Sequence, residues 1–161
     1  MTAKKQIMIT ASGSFENIGN NIKIDANYAI ERDGTVINIT DPCSVDNSII
    51  TVCLANGGPI KTKNRCVPDI PFYEYCEFSP YRGNIYYEAF PTAQTNALKN
   101  LLFRLISEHN IVFKYDYTLS VVCQKAINGE PGIFFASSYD KNRTDIHPQP
   151  NIIKIIKSLA I

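Results

Sequence analysis

Residues 132–150 read GIFFASSYDKNRTDIHPQP, and this stretch decides the fold. An apolar run, Ile133 to Phe135, leaves a turn at Pro131-Gly132 and ends in small residues. We predict a buried strand from Gly132 to Ser137, because a short apolar run between turn residues is typical of one. A polar loop follows. The chain then closes with a helix from Pro150 to Leu159 that carries four isoleucines.

Similar patterns predict the other elements of an α/β fold. Asp33-Gly34 between two β-favouring runs indicates a hairpin with a two-residue turn. Thr92 is a suitable N-cap for the strongest helix, in which leucines recur on one face. The predicted elements are strands at Gln6–Thr10 and Asn47–Leu54, a hairpin within Lys23–Thr40, about one helical turn in Ser14–Ile24, and helices at Pro91–Asn110 and Thr118–Ile127.

The length, charge and apolar runs of the chain argue against several classes of protein. A chain of 161 residues predicts one domain, and a net charge of +1 argues against a nucleic-acid partner or a polybasic membrane contact. No apolar run approaches the roughly 20 residues of a membrane span. Met1 to Lys5 leads straight into the first strand pattern, so we expect no secretory signal peptide.

The five cysteines do not form a metal-binding pattern, because no C-x-x-C occurs. One interpretation is free thiols in a reducing compartment, with Cys53 and Cys123 as small buried residues. The alternative is a disulfide between Cys66 and Cys76 that closes an insertion.

The segment that follows the last strand resembles the zinc N-acetylmuramoyl-L-alanine amidases, a family that includes phage lysozyme-like amidases and peptidoglycan recognition proteins. In that family a strand ends in Gly-x-His or a close variant. About ten residues later comes Lys-[Thr/Ser]-Asp-[Pro/Cys], often with His-Pro behind it. This chain keeps the frame in Thr144-Asp145-Ile146-His147-Pro148, but Ala136 stands where the histidine is expected.

Three other segments resemble the same family. They are ANYAIERDGTV at 26–36, NSIITVCL at 47–54, and the start of the long helix at 90–102. The resemblance covers most of the chain and implies an α/β fold with a central mixed sheet flanked by helices. It also implies a single domain over residues 1–161, with an aromatic-rich insertion at about 57–90.

The resemblance implies that the catalytic zinc ligands are missing. The two histidine positions fall at Thr10 and Ala136, and the third ligand falls at Asp145 or Ile146, depending on how the loop is aligned. A catalytic zinc needs three protein ligands, so we expect no bound zinc. The family's lysine falls at Arg143 or Thr144, and a tyrosine that is catalytic in several phage members falls at Ala26.

Neither of the two histidines replaces the lost ligands. His147 fits a retained structural His-Pro, and His109 is expected to lie at the end of the long helix. The remaining binding candidates are Arg143, Asp145, His147 and the aromatic insertion, whose rings either bind a partner or sugar or pack on their own domain. The tyrosines in question are Tyr73, Tyr75, Tyr81, Tyr86 and Tyr87.

Three functions remain open at this point. The first is a catalytically inactive amidase-like protein with a structural or assembly role and a protein partner, located in the cytoplasm or within a phage or phage-derived particle. The second is a module that binds peptidoglycan fragments without cutting them. The third is an active amidase with a different site.

Overall fold

The computed structural model describes residues 2–19, 23–60, 76–81, 84–115, 119–140 and 149–161. Within these ranges, five strands form a central sheet in the order β3-β2-β4-β1-β8. Strands β2, β4, β1 and β8 are parallel, and β3 is antiparallel to β2. The strands are β1 (Gln6–Ala11), β2 (Tyr28–Ile30), β3 (Val36–Asn38), β4 (Ile49–Leu54) and β8 (Gly132–Phe135). The predicted mixed sheet is therefore confirmed.

Four α-helices lie in the described ranges: α1 (Thr92–Glu108), α2 (Leu119–Ile127), α3 (Ala136–Tyr139) and α4 (Pro150–Leu159). Helices α1 and α4 contact each other and cover one face of the sheet. The leucines and isoleucines that recur along them interlock with alternate strand residues. This core includes Ile7, Ile9, Ile50, Val52, Leu54, Leu98, Leu102, Leu105, Ile152 and Ile156.

Gln6 anchors the opposite face. Its Nε2 donates to the carbonyl oxygens of Ala126 (3.0 Å) and Glu130 (3.0 Å), at the end of α2. Because successive strand residues point to opposite faces, these bonds place the end of α2 on the face away from α1. The central sheet is therefore covered on both sides, as expected for buried parallel strands.

A second, antiparallel sheet has the order β5-β7-β6. Its strands are β5 (Pro59–Ile60), β6 (Cys76–Tyr81) and β7 (Asn84–Glu88), so all three lie in the aromatic-rich insertion. Tyr87, one of the binding candidates, is 1% exposed. Its ring is therefore part of the interior, which favours the packing interpretation at this position.

The Asp33-Gly34 hairpin forms as predicted, but its loop has three residues rather than two. The Glu31 amide donates to the Thr35 carbonyl (2.9 Å), and the Gly34 amide donates to the Glu31 carbonyl (3.0 Å). Gly34 has φ +90°, as the third loop residue of such hairpins requires. A Cβ on Gly34 would lie 2.8 Å from the carbonyl oxygen of Ala93, so the glycine also lets the loop approach α1.

Thr92 is not the N-cap of α1, as the sequence suggested, but its first residue. The N-cap is Pro91, whose carbonyl accepts from the Thr95 amide at 3.0 Å. The position of the helix is set by Gln94, whose Nε2 donates to the carbonyls of Ile30 (3.0 Å) and Ala55 (2.9 Å). Contacts with the sheet, rather than a capping side chain, therefore fix the position of the first turn of α1.

The last strand is shorter than predicted. It ends at Phe135, and Ala136 begins the single turn of α3. Tyr139 holds this turn against the sheet, since its hydroxyl donates to Gln6 Oε1 at 3.0 Å and its ring meets Phe134 edge-on at 6.2 Å. The predicted helix from Pro150 to Leu159 is confirmed.

Candidate functional site

The candidate site is the edge of the central sheet at which the parallel strands end. Ligands of open α/β sheets bind outside the carboxyl ends of the strands. Four segments meet this edge: 12–13 after β1, 31–35 after β2, 55–58 after β4 and 136–139 after β8.

Thr10 and Ala136 lie next to each other at this edge. Ile9 pairs with Phe135 in the parallel β1–β8 ladder, and Thr10 and Ala136 are the next residues of their chains. Thr10 is 8% exposed and Ala136 is 1% exposed. The fold therefore brings together the two positions that the amidase resemblance assigns to zinc-binding histidines, and it fills them with a hydroxyl and a methyl group.

Ala26 lies away from this pair. Thr10 is level with Cys53 of β4, and Cys53 is level with Ala29 of β2. Ala26 precedes Ala29 by three residues, so it lies up to about 10 Å toward the amino ends of the strands. It packs in a small cluster that includes Ile18, and it is buried.

Several of the predicted site residues lie outside the described residues. They are Tyr73, Tyr75, Arg143, Thr144, Asp145, Ile146 and His147. Tyr81 and Tyr86 belong to β6 and β7, but their side chains also lie outside what the structure describes. His109, by contrast, is placed as predicted, directly after the last residue of α1.

A buried ion pair that the sequence analysis did not single out lies at the same edge. Arg32, which follows β2, forms a bidentate ion pair with the Glu88 carboxylate. Its Nη2 lies 2.8 Å and 3.1 Å from the two carboxylate oxygens, and its Nε lies 3.1 Å from Oε1. The Glu88 side chain is 4% exposed, against 21% for Arg32. Such bidentate pairs are the strong form of this interaction.

Burial has the largest effect on Glu88 and raises the pKa of its carboxyl above the ordinary value of 4.5. The hydrogen bonds and positive charge of Arg32 oppose this rise, as does the amide of Gly57, which lies 3.2 Å from Oε2. The contacts of this carboxylate with Arg32 and Gly57 join β7 to the segments that follow β2 and β4. We call the Arg32–Glu88 ion pair the clasp.

The backbone of Glu88 also forms hydrogen bonds with three other residues. Its carbonyl accepts from Asn56 Nδ2 (3.1 Å) and from Gln149 Nε2 (2.7 Å). Its amide donates to the Gly58 carbonyl (3.0 Å), while Asn56 Oδ1 accepts from the Gly58 amide (2.8 Å). Since Asn56 follows β4 and Gln149 precedes α4, these bonds join the second sheet to the central sheet and the last helix.

Arg32 and its neighbour Glu31 also fix the segment after β1. Arg32 donates to the carbonyls of Ser14 (2.9 Å) and Glu16 (3.1 Å). The carboxylate of Glu31 accepts from the amides of Ile18 (2.6 Å) and Gly19 (3.2 Å). The described part of this segment, 14–19 and 23–24, contains no helix, so the predicted helical turn is not found there.

Two sequence signals pointed to this network. Glu88 is the one acid in the apolar run IYYEAF (85–90), and Glu31-Arg32 sits directly beside the hairpin turn. A charge next to a buried strand demands a partner, but the sequence could not say which one, because Arg32 and Glu88 are 56 residues apart.

In the described part of the chain, no group of three or more His, Cys, Asp or Glu side chains could hold a metal ion. No helix of that part is long and apolar enough to cross a membrane.

No protein-family model matches the chain, and no curated protein matches it.

Proposed function

We propose that this protein is a catalytically inactive relative of the zinc amidases that serves as a structural or protein-interaction component of an assembly. The observation that carries the proposal is the adjacency of Thr10 and Ala136 at the carboxyl ends of β1 and β8. Adjacent parallel strands are where two histidines could share one zinc ion. A methyl group offers no ligand, and a neutral hydroxyl is not among the side chains that bind catalytic zinc.

The histidine on α1 cannot substitute for the lost ligands. The first turn of α1 touches the ends of β2 and β4 through Gln94. The helix has 17 residues and is therefore about 25 Å long. Its far end, where His109 lies, is remote from Thr10. Asp145 and His147 would supply at most two ligands from one loop.

The clasp between Arg32 and Glu88 also supports a role without metal. Structural metal sites contribute folding free energy, so their loss often leaves a chain unfolded. Here the strand ends are joined by side-chain hydrogen bonds of Arg32, Asn56, Gln94 and Gln149. These bonds are consistent with the proposed scaffold role, because they join the strand ends through side chains other than the expected ligand positions.

The place of action follows from the resemblance to phage amidases. We propose a phage or phage-derived particle, or the cytoplasm in which such a particle assembles, with a protein as the partner. The chain should be recovered with such a particle after purification, and recovery only as a free monomer would argue against an assembly role.

Zinc content tests the amidase part of the proposal. The purified, untagged protein from zinc-supplemented growth is expected to contain no stoichiometric zinc and to release no product from peptidoglycan. The double variant Thr10→His/Ala136→His is expected to gain about one zinc ion, with Asp145 as the third ligand. The two single variants are matched controls and should gain none.

Each outcome has a separate meaning. Near-stoichiometric zinc in the unaltered protein, or turnover of peptidoglycan, would refute inactivity. A folded double variant that takes up no zinc would show that Thr10, Ala136 and Asp145 are not together the positions of the three lost ligands. Circular dichroism of every variant checks that the fold is retained.

A further inference from the structure

The edge strand β3 presents unpaired backbone groups. Glu31 and Thr35 form a hydrogen-bonded pair, as do Asn27 and Ile39. Because such pairs alternate in an antiparallel ladder, Ile37 also bonds to β2. The N–H and C=O groups of Val36 and Asn38 therefore point away from the sheet, and no hydrogen-bond partner for them is found among the described residues.

A groove runs between this edge and helix α1. Val36 and Asn38 pair with Ile30 and Tyr28, so their side chains point to the face that α1 covers. The groove contains two adjacent cavities. One, beside Asn38, has a volume of about 280 Å³, and the other, beside Val36, has a volume of about 410 Å³. An open strand edge beside a helix is the arrangement in which peptides are bound by strand addition.

The cavity beside Val36 is lined by Ala97, Asn100, Leu101 and Arg104 of α1, so Arg104 borders both cavities. Val36 itself is 40% exposed. The part of this cavity formed by Val36, Ala97 and Leu101 suits an aliphatic side chain.

The cavity beside Asn38 is polar, and Arg104 is its one lining cation. The guanidinium carbon lies 5.7 Å from the centroid of the Tyr28 ring, and an ion pair with Glu108 spans 3.7 Å between half-exposed groups. A salt bridge of this length between exposed side chains contributes little free energy, so the Arg104 guanidinium can also bind a carboxylate of a partner. Asp41 also lines the cavity. Its Oδ1 accepts from the Cys43 amide at 2.9 Å, and no ion pair joins it to Arg104 among the described residues.

We propose that this groove binds an extended peptide segment of a partner protein, antiparallel to β3, with the pattern acidic-x-aliphatic. The acidic residue lies opposite Asn38 and meets Arg104. The aliphatic residue, two positions later, lies opposite Val36 on the same face. The inference rests on the proposed interaction role and deepens it by naming the surface and the chemistry of the partner.

Peptide titration followed by ¹⁵N–¹H NMR tests the inference with a defined probe, the capped hexapeptide Thr-Thr-Glu-Thr-Val-Thr. Saturable shifts are expected at the amides of Val36 and Asn38 and at the side chain of Arg104. The control peptide Thr-Thr-Glu-Val-Thr-Thr places its glutamate and valine on opposite faces of the strand and is expected to bind at least several-fold more weakly.

Protein variants separate the backbone contribution from the charge. Asn38→Pro removes one outward N–H and is expected to abolish the shifts, whereas Asn38→Ala keeps that N–H and should bind like the unaltered protein. Arg104→Gln should weaken binding about twofold to fivefold. Arg104→Glu should reverse the preference toward a peptide with lysine in place of glutamate.

The inference is wrong if the probe shifts no β3 resonances, if Asn38→Pro binds as well as Asn38→Ala, or if β3 signals broaden with protein concentration alone, which would indicate a second copy. None of these outcomes bears on zinc content or peptidoglycan turnover. Failure here would leave the inactivity proposal standing, and the reverse also holds.

Discussion

Replacing Arg32 by methionine should expose what the clasp contributes to stability. Methionine keeps an apolar stem but leaves the Glu88 carboxylate, 4% exposed, with one hydrogen-bond donor among the described residues, the Gly57 amide. Breaking a buried ion pair by removing one partner costs about 3–5 kcal/mol. Because Arg32 is 21% exposed, we expect the lower end, about 3 kcal/mol, or a fall in Tm of roughly 6–12 °C for a chain of this size.

The loss should depend on pH in a defined direction. The pKa of Glu88 is already raised above 4.5 by burial, and Arg32 is the main group that opposes the rise. Arg32→Met should therefore raise it further. A carboxyl whose pKa is higher in the folded state favours folding below its unfolded pKa and loses that contribution as pH rises through the folded pKa. The deficit relative to the unaltered protein should thus shrink as pH falls from 7 toward 4.5.

Urea unfolding at several pH values measures this effect. Far-UV circular dichroism is the suitable signal, since the chain contains no tryptophan. Glu88→Gln and the double variant Arg32→Met/Glu88→Gln are matched controls. Neither has an acid at position 88, so the loss caused by Arg32→Met on the Glu88→Gln background should not depend on pH in this way. A deficit of Arg32→Met below about 1 kcal/mol, or one independent of pH, would refute the reasoning.

Three further changes test the packing that positions the site, each by urea unfolding. Gly34→Ala should cost more than Gly129→Ala, because both glycines have positive φ but only Gly34 would place its Cβ 2.8 Å from a carbonyl oxygen of α1; equal costs would contradict the close approach. Gln94→Glu should lower stability by about 2–4 kcal/mol at pH 7 and less at pH 4, because a carboxylate would face two carbonyl oxygens. Leu102→Ala should cost about 3–5 kcal/mol, whereas Phe103→Ala, at a residue 62% exposed, should cost less than 1 kcal/mol; a reversed order would show that the helix faces are misassigned.

The regular elements could be predicted from the sequence because each one carries its own periodicity. Helix α4 begins at Pro150, which suits a first helical turn. Strands β1 and β4 are continuous apolar runs, as strands covered on both faces should be. What local pattern could not give was the length of the hairpin loop or the first residue of α1. Those depend on contacts between the Gly34 loop, Gln94 and the sheet.

The candidate site was predictable only in part. The amidase resemblance pointed to Thr10 and Ala136, which the fold does bring together, and to Ala26, which it places elsewhere. It did not point to Arg32 and Glu88. Each of these charges beside a buried strand indicates that a partner is needed, but a pair 56 residues apart cannot be matched from local pattern. A polar network that joins separate segments is specified by the assembled fold rather than by any one segment.

If the proposed descent from a zinc amidase is right, this network explains how the edge of the sheet stays folded without the ligand histidines. In parallel sheets the strand ends leave carbonyl groups that need donors. Gln94 supplies donors to the ends of β2 and β4, and Asn56 and Gln149 tie the Glu88 backbone to the same region. None of these bonds involves Thr10 or Ala136. Substitution at those two positions could therefore abolish zinc binding while the frame kept its stability and its surfaces, including the β3 groove, for contacts with other proteins.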